Sequence, residues 1–219
     1  MNDDRSKSNA KFVTEWRVSN APVPYVEAIT VMEERVEAVL AEMAPELVWL
    51  LEHPSIYTAG TSATSDELID SERLPVFHTG RGGRYTYHGP GQRVVYFVQD
   101  LRPENRDMRK FVEQLERLIM NVLLDFGVTG VKREGRNGIW VAQGGKEECI
   151  AAIGLRVKKL VVFHGVAMNV SPDLSYYAGI VPCGLRGSGV TSLHALGITA
   201  KMDDIDASIR KHWNQVLST

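Results

Sequence analysis

Two apolar runs, CIAAIGLRVKK from residue 149 and LVVFHGVAMNV from residue 160, stand in direct succession with little more than a Lys-Lys turn between them. Each is rich in aliphatic and β-branched residues and reads as a strand. A parallel pair needs a crossover of a dozen or more residues, so two strands this close can pair only as an antiparallel hairpin. That pairing excludes a doubly wound parallel sheet. The expected fold is α/β of the α+β kind, a mixed, largely antiparallel sheet with helices packed against it.

The rest of the chain supplies the remaining elements. From Val23 to Met43 the apolar residues Val26, Ile29, Val36, Val39, Leu40 and Met43 recur at helical spacing. LVWLL at 47–51 is a short, fully apolar run that suits a buried strand. A polar loop around 60–73 leads to a second short strand in PVFHTG, and VVYFVQDL at 94–101 gives another. Between these two, GRGGRYTYHGPGQ carries five glycines and a proline, too many for a regular element to be expected there. From Asp107 to Phe126 the residues Met108, Phe111, Leu115, Leu118, Ile119, Val122 and Phe126 form one stripe, and Gly127 stands where a helix would close. VTGVKR and GIWVA add strands, and Asp203 to Leu217 reads as an amphipathic terminal helix.

The chain has 219 residues, which suits one domain, here expected over 12–219 behind a flexible polar tail at 1–11. Apolar residues make up 44% and charged residues 24%, which excludes wholesale disorder. With 25 basic against 27 acidic side chains there is no chain-wide attraction to nucleic acid, so electrostatic recognition has to be local. No apolar stretch is long enough to span a bilayer, and the N-terminus lacks the apolar core of a secretion signal, so a cytoplasmic location is expected. Two cysteines are a poor disulfide framework in a reducing compartment.

One of those cysteines lies in GIVPCGLRGSGVTSL. Pro182 restricts the backbone before Cys183 and Gly184 frees it afterwards, which suits a sharp turn where a substrate can reach a thiol. A small buried apolar side chain is the competing reading, since free cysteine is among the most buried residue types. The glycine-rich stretch 80–92 lacks the GxxxxGK[ST] order and the GxGxxG fingerprint, so it is a weak nucleotide site. Its glycines permit close backbone approach to a ligand, with Arg81, Arg84, Tyr87 and His88 placed to line it. His88 and His164 each precede a glycine in a glycine-broken segment, which makes them candidate pocket residues. His53, His78, His194 and His212 have no such context and read as structural.

RGGRYTYHGPGQRVVYFVQDL, CIAAIGLRV, FHGVAMNV and GIVPCGL...GVTSL together resemble, in order and spacing, the bacterial lipoyl(octanoyl) transferase B family. The resemblance runs from about residue 20 to the C-terminus. It implies a single domain of the biotin/lipoate protein ligase superfamily. It also implies an acyltransferase that moves an octanoyl group from octanoyl-acyl carrier protein to a lysine on the lipoyl domains of oxoacid dehydrogenases and on the glycine-cleavage carrier protein. By the same resemblance Cys183 is the acyl-accepting nucleophile. The segments Arg81, Gly82, Gly83, Arg84, Tyr85, Thr86, Tyr87 and His88, then Ala152, Ile153 and Gly154, then Gly165, Val166 and Ala167, surround the acyl chain. Exchange of one thioester for another is near even and aminolysis is downhill, so neither ATP nor any other cofactor is implied. His164 and the backbone N–H groups around Gly184 are candidate support for the reacting centre. The acidic surface of acyl carrier protein would favour Arg81, Arg84, Arg156, Lys158, Lys159 and Arg186 near the pocket mouth.

One position departs from the family pattern. The strand that normally begins with an assisting lysine begins here with Cys149. Three readings follow: an enzyme with impaired acid–base chemistry; substitution by Lys146, Lys158, Lys159 or His164; or a pair of sulfurs that form a disulfide or share a soft metal with His88 or His164. The last lacks a compact zinc-ligand spacing. An acyl-binding or carrier-docking protein and an ATP-dependent lipoate or biotin ligase are the alternative functions.

Overall fold

The computed structural model describes residues 13–102 and 107–217, apart from the side chains of Asn137, Gln143, Cys183 and Leu217. The tail expected over residues 1–11 lies outside the described residues. The hairpin forms as anticipated: β9 (Lys146–Lys158) and β10 (Val161–Asn169) pair antiparallel. Its two-residue turn is Lys159–Leu160, with φ of 49° and 64°. Two successive left-handed residues match the right-handed twist of the flanking strands, here without glycine.

Around that hairpin the main sheet takes the order β1-β2-β6-β10-β9-β8-β7. The strands are β1 (Glu15–Val18), β2 (Leu47–Leu51), β6 (Gln92–Asp100), β7 (Gly130–Arg133) and β8 (Arg136–Gln143). Edge strand β1 runs parallel to β2, while β2–β6, β6–β10 and β7–β8–β9 are antiparallel. A three-stranded sheet holds β4 (Val76–His78), β3 (Ile56–Ala59) and β5 (Tyr85–His88) in that order. The two-residue strand β11 (Gly189–Val190) lies parallel to β9 at Glu148 and Cys149, just past the point where β10 ends its pairing with β9 at Ala151.

Three helices cover the main sheet: α1 (Tyr25–Leu40), α2 (Met108–Asp125) and α3 (Met202–Leu217). Helix α2 is capped by Asp107, whose side chain accepts from the Arg109 N–H at 2.8 Å, and Gly127 follows with φ of 74°. Alternation along the central strands separates two cores. Val48, Leu50, Val95, Phe97, Val162 and Val166 pack with α2 and α3, whereas Leu47, Trp49, Leu51, Val94, Tyr96 and Phe163 pack with α1.

Two expectations need correction. The glycine-rich segment does contain regular structure: its glycines cluster at 80–83 and 89–91, leaving YTYH free to form β5, and Gln92 opens β6. Helix α1 is shorter than Val23–Met43 and its buried face is rotated. Tyr25, Ala28, Met32, Val36 and Val39 point inward, while Val26 and Met43 are exposed at 61% and 75%. The true stripe includes an alanine and a tyrosine, which a count of strongly apolar residues passes over.

Candidate active site

Small residues on the two central strands make a floor. The register sets Ala152 opposite Ala167, Ile153 opposite Val166 and Gly154 opposite Gly165. Gly165 also pairs with Tyr96 of β6, and a Cβ there would collide with the Val95 carbonyl. The strand therefore needs glycine at this point to keep its neighbour at sheet distance. Over the floor lies the loop of Gly80–Arg84, tied down where the Gly82 N–H donates to Leu155 O at 2.8 Å. The stem of Arg81 covers Gly154 so closely that a Cβ would stand 2.9 Å from its Cδ.

Floor and loop enclose a cavity of about 290 Å³. It is lined by Arg81, Gly83, Arg84, Tyr85, Thr86 and His88 from the loop and β5, and by Ala152, Ile153, Gly154, His164, Gly165, Val166 and Ala167 from the hairpin. Ser62, Val94, Tyr96, Gly135 and Arg136 complete the wall; the sequence reading did not single them out. Val94 and Tyr96 could have been found by setting β6 in register with β10. The volume lies at the small end of ligand pockets, about 300–1,000 Å³, which suits a short chain or a small ring.

Tyr87 and Gly82 are not on this wall. Tyr87 packs instead into an aromatic cluster, stacked on Tyr176 at 5.2 Å and edge-on to Tyr177 at 5.4 Å. It was expected to wall the slot, but β5 turns its ring toward the Leu174–Gly179 turn.

The inner end of the cavity is polar and uncharged apart from Arg81. The Arg81 guanidinium is buried, donating to Thr58 O at 2.8 Å, Thr58 Oγ1 at 2.6 Å, Gly82 O at 2.9 Å and Arg84 O at 3.0 Å. Gln92 Nε2 donates to Tyr87 O and Asn169 Oδ1, both at 3.0 Å, which leaves Gln92 Oε1 to accept from His88 Nδ1 at 2.7 Å. The second His88 nitrogen then accepts from Thr58 Oγ1 at 3.2 Å. Behind it, His53 Nδ1 donates to Val23 O at 2.7 Å and His53 Nε2 accepts from Tyr96 OH at 2.9 Å. Burial pushes His88 well below the ordinary histidine range, with the charges of His53 and Arg81 acting in the same direction. Burial likewise lowers His53 to about 4.

His164 differs from both. It has φ of 70° in the middle of β10, a left-handed conformation that costs a bulky residue energy and marks a functional or tightly constrained position. Adjacent strand residues normally face opposite ways, yet its ring stacks on Phe163 at 5.1 Å and lies 6.1 Å from Tyr96. The twist has turned it onto the face of the sheet that carries Tyr96. Its Nε2 is buried with no hydrogen-bond partner among the described residues. Burial holds it down to about 3, helped by Arg81 and Arg156, so it is a neutral donor or acceptor.

The Pro182–Gly184 turn adjoins this cavity. It is a single 3-10 turn packed against β5, and Gly184 has φ of 68° and sits directly against the Arg84 side chain on the cavity wall. The backbone of Cys183 belongs to this turn. Its side chain lies outside the described atoms. The N–H groups of Gly184 and Leu185 are engaged within the turn, donating to Val181 O at 3.2 Å and Pro182 O at 3.1 Å. Of the backbone N–H groups expected around Gly184 to serve a developing oxyanion, these two are engaged within the turn.

Cys149 does not line the cavity. It is buried in β9 between Trp140 and Val190, three residues before the floor begins, and its Sγ donates to Ala151 O at 3.4 Å. Of the cations considered as substitutes, Lys158 is ion-paired with Glu37, Lys159 occupies the hairpin turn at the opposite end of the strand, and Lys146 is exposed at its start. No group of three or more His, Cys, Asp or Glu side chains among the described residues could hold a metal, and His88 has both nitrogens engaged. Four of the six proposed docking cations are already paired: Arg84 with Glu67, Arg156 with Glu33, Lys158 with Glu37 and Arg186 with Asp66.

A mixed sheet floored by alanine and glycine, roofed by a glycine loop and flanked by a cysteine-bearing turn defines a small α/β catalytic domain built to hold a slender ligand. The chain belongs to the family of lipoyl protein ligase A/B catalytic domains, which it matches over residues 24–214. It is 55% identical over 206 residues to an octanoyltransferase of Paramagnetospirillum magneticum, covering 94% of this chain and 97% of that one. It is 54% identical over 206 residues to an octanoyltransferase of Parvibaculum lavamentivorans, covering 92% of each. In fold it is similar to a bipartite lipoate protein ligase of Thermoplasma acidophilum, with a TM-score of 0.70 at 15% identity over 94% of this chain and 85% of that one. A biotin protein ligase of Aquifex aeolicus is more distant, with a TM-score of 0.54 at 13% identity over 94% and 70% of the two chains.

Proposed function

We propose that this chain is an octanoyltransferase acting on lipoyl domains, with octanoyl-acyl carrier protein as donor and a thioester on Cys183 as intermediate. The observation that carries this reading is the cavity of about 290 Å³, floored by Ala152, Gly154, Gly165 and Ala167 and adjoining the cysteine turn through Arg84. A saturated chain laid on that floor leaves water at about 0.8 kcal/mol per methylene. Its thioester end would lie toward the turn.

The Cys183 thiolate attacks the thioester carbonyl; the new C–S bond forms as the bond to the carrier's pantetheine sulfur breaks, and that sulfur leaves as a thiolate that takes a proton. The lipoyl-domain lysine, as a neutral amine, then attacks the enzyme thioester. Its C–N bond forms, Cys183 leaves, and the amine proton passes to the thiolate or to solvent. The first step conserves the thioester bond energy and the second spends it in forming the amide, so neither needs ATP. Residues 12–219 act as one catalytic domain, and the cytoplasm is the compartment that supplies the acyl carrier; no described helix is long and apolar enough to cross a membrane.

Incubation with octanoyl-acyl carrier protein followed by intact-mass measurement tests this directly. One octanoyl adduct is expected, located on Cys183 and absent from Cys183→Ser; a protein whose mass does not change rules the reading out. Cys149 at the position of the family lysine favours a second reading, an acyl-binding protein with little turnover. Repeated transfer to excess lipoyl domain separates the two.

A further inference from the structure

A cysteine thiol has an ordinary pKa near 8.5 and is a poor nucleophile at neutral pH unless positive charge or oriented donors stabilise its thiolate. The turn that carries Cys183 is three residues long, too short for a helix dipole, and the N–H groups of Gly184 and Leu185 are already engaged within it. One cation is built against it. A Cβ on Gly184 would strike the Arg84 side chain and stand 3.0 Å from Glu67 Oε1. The Arg84 and Glu67 side chains form an ion pair in which the Glu67 side chain is 5% exposed and that of Arg84 42%.

That pair is locked to the turn from both sides. Glu67 Oε2 accepts from the Thr64 N–H at 3.3 Å and closes a capping box, which fixes its side chain. Its backbone carbonyl accepts from the Val181 N–H at 2.8 Å, and Leu68 bridges Ile180. The 64–70 loop and the 179–184 segment therefore move as one body, with Arg84 held between them and the cavity. Other charges near the turn include the exposed Arg186–Asp66 pair, Asp70 and Arg73, which both touch Gly179, and Glu148, which lies against Gly189.

We propose that Arg84, anchored by Glu67, is the positioning residue that brings positive charge to the Cys183 turn and raises its thiolate fraction. This rests on the reading of Cys183 as the acyl-accepting thiol. A guanidinium carries its charge without exchanging a proton in the reaction, so its role here is electrostatic. Glu67 keeps the guanidinium beside the turn and tempers its charge.

The test is the pH dependence of Cys183 alkylation by iodoacetamide, read by peptide mass so that Cys149 is counted separately, in the wild type, Arg84→Gln and Arg84→Lys. Arg84→Gln should raise the midpoint by about one unit and slow acylation at pH 7 about tenfold, while Arg84→Lys recovers most of both. Because Arg84→Gln strands a buried carboxylate whose negative charge itself raises the midpoint, the double variant Glu67→Gln/Arg84→Gln is measured beside it and should show a raised midpoint too, by less than Arg84→Gln. An unmoved midpoint in either glutamine variant, or a lysine variant as slow as Arg84→Gln, overturns the proposal. A wild-type protein that never carries octanoyl on Cys183 overturns the underlying reading instead, so the two failures are distinguishable.

Discussion

At position 149 a thiol stands in β9, buried between Trp140 and Val190, at the position where the sequence resemblance implies a lysine. A lysine there would add a titratable amine whose long side chain extends beyond the strand, and we propose that its main use would be proton exchange with the incoming lipoyl-domain lysine. Cys149→Lys should therefore accelerate aminolysis by on the order of 10²-fold, the lower end of general acid–base contributions, and change the first acylation much less. Single-turnover measurements of the two steps check this; an unaltered second step would mean that another group already handles the proton. The rest of the site was largely legible in the sequence because its chemistry depends on residue type: small residues at 152, 154, 165 and 167 and the loop of Gly80–Arg84. Val94 and Tyr96 were not legible, because they join the wall through strand register alone. The direction of Tyr87 was misread for the complementary reason: the aromatic cluster that claims it draws on residues about ninety positions away.

Helix α2 ends in Asp125, a carboxylate at the negative end of the helix dipole, where it is intrinsically unfavourable. Helix α3 compensates for it. Ser208 Oγ donates to Asp125 at 2.8 Å, His212 Nε2 approaches at 2.9 Å and Lys211 Nζ at 3.0 Å, and the hydrogen bond from Ser208, with those from Lys211 and His212, lowers the carboxyl to about 2. Asp125→Ala should loosen the contact between α2 and α3 at a cost of about 1–2 kcal/mol, seen as a thermal midpoint about 3–6 °C lower, with the octanoyl adduct still forming. An unchanged midpoint would show that apolar packing alone joins the two helices. The helices themselves follow from periodicity, and α2 and α3 fall within one residue of the expected bounds at each end. The phase of α1 does not follow, since its inward face includes Ala28 and Tyr25 and is selected by the sheet it covers. β1 and β11 escape for another reason: strands of four and two residues carry no readable period and exist through their partners β2 and β9.

For the whole molecule, the inner end of the cavity sets the response to acid. His53, His88 and His164 are buried around one region, with His53 at about 4, His164 at about 3 and His88 well below its ordinary value, while the unfolded chain titrates near 6.5. These are depressed folded-state values, so the unfolded state binds more protons as pH falls below 6.5. Stability present above that pH is lost progressively on acidification, down to the folded values. Between pH 7 and pH 5 each such histidine contributes about 2 kcal/mol to the loss, and three together remove a large part of the roughly 5–15 kcal/mol typical of a folded domain. The lowered carboxylates, Asp125 among them, are protonated only at still lower pH and leave this window to the histidines. Urea unfolding midpoints should therefore fall sharply from pH 7 to pH 5, and His53→Gln should recover about 2 kcal/mol of the difference while lowering stability at pH 7. Equal midpoints at the two pH values would mean that these rings are reached by water and protonate within the folded protein, so that the cavity's inner end is an open polar cleft. A steep fall would identify it as a dry end whose histidines stay neutral, the condition under which an apolar chain and an unprotonated His164 can share the same space.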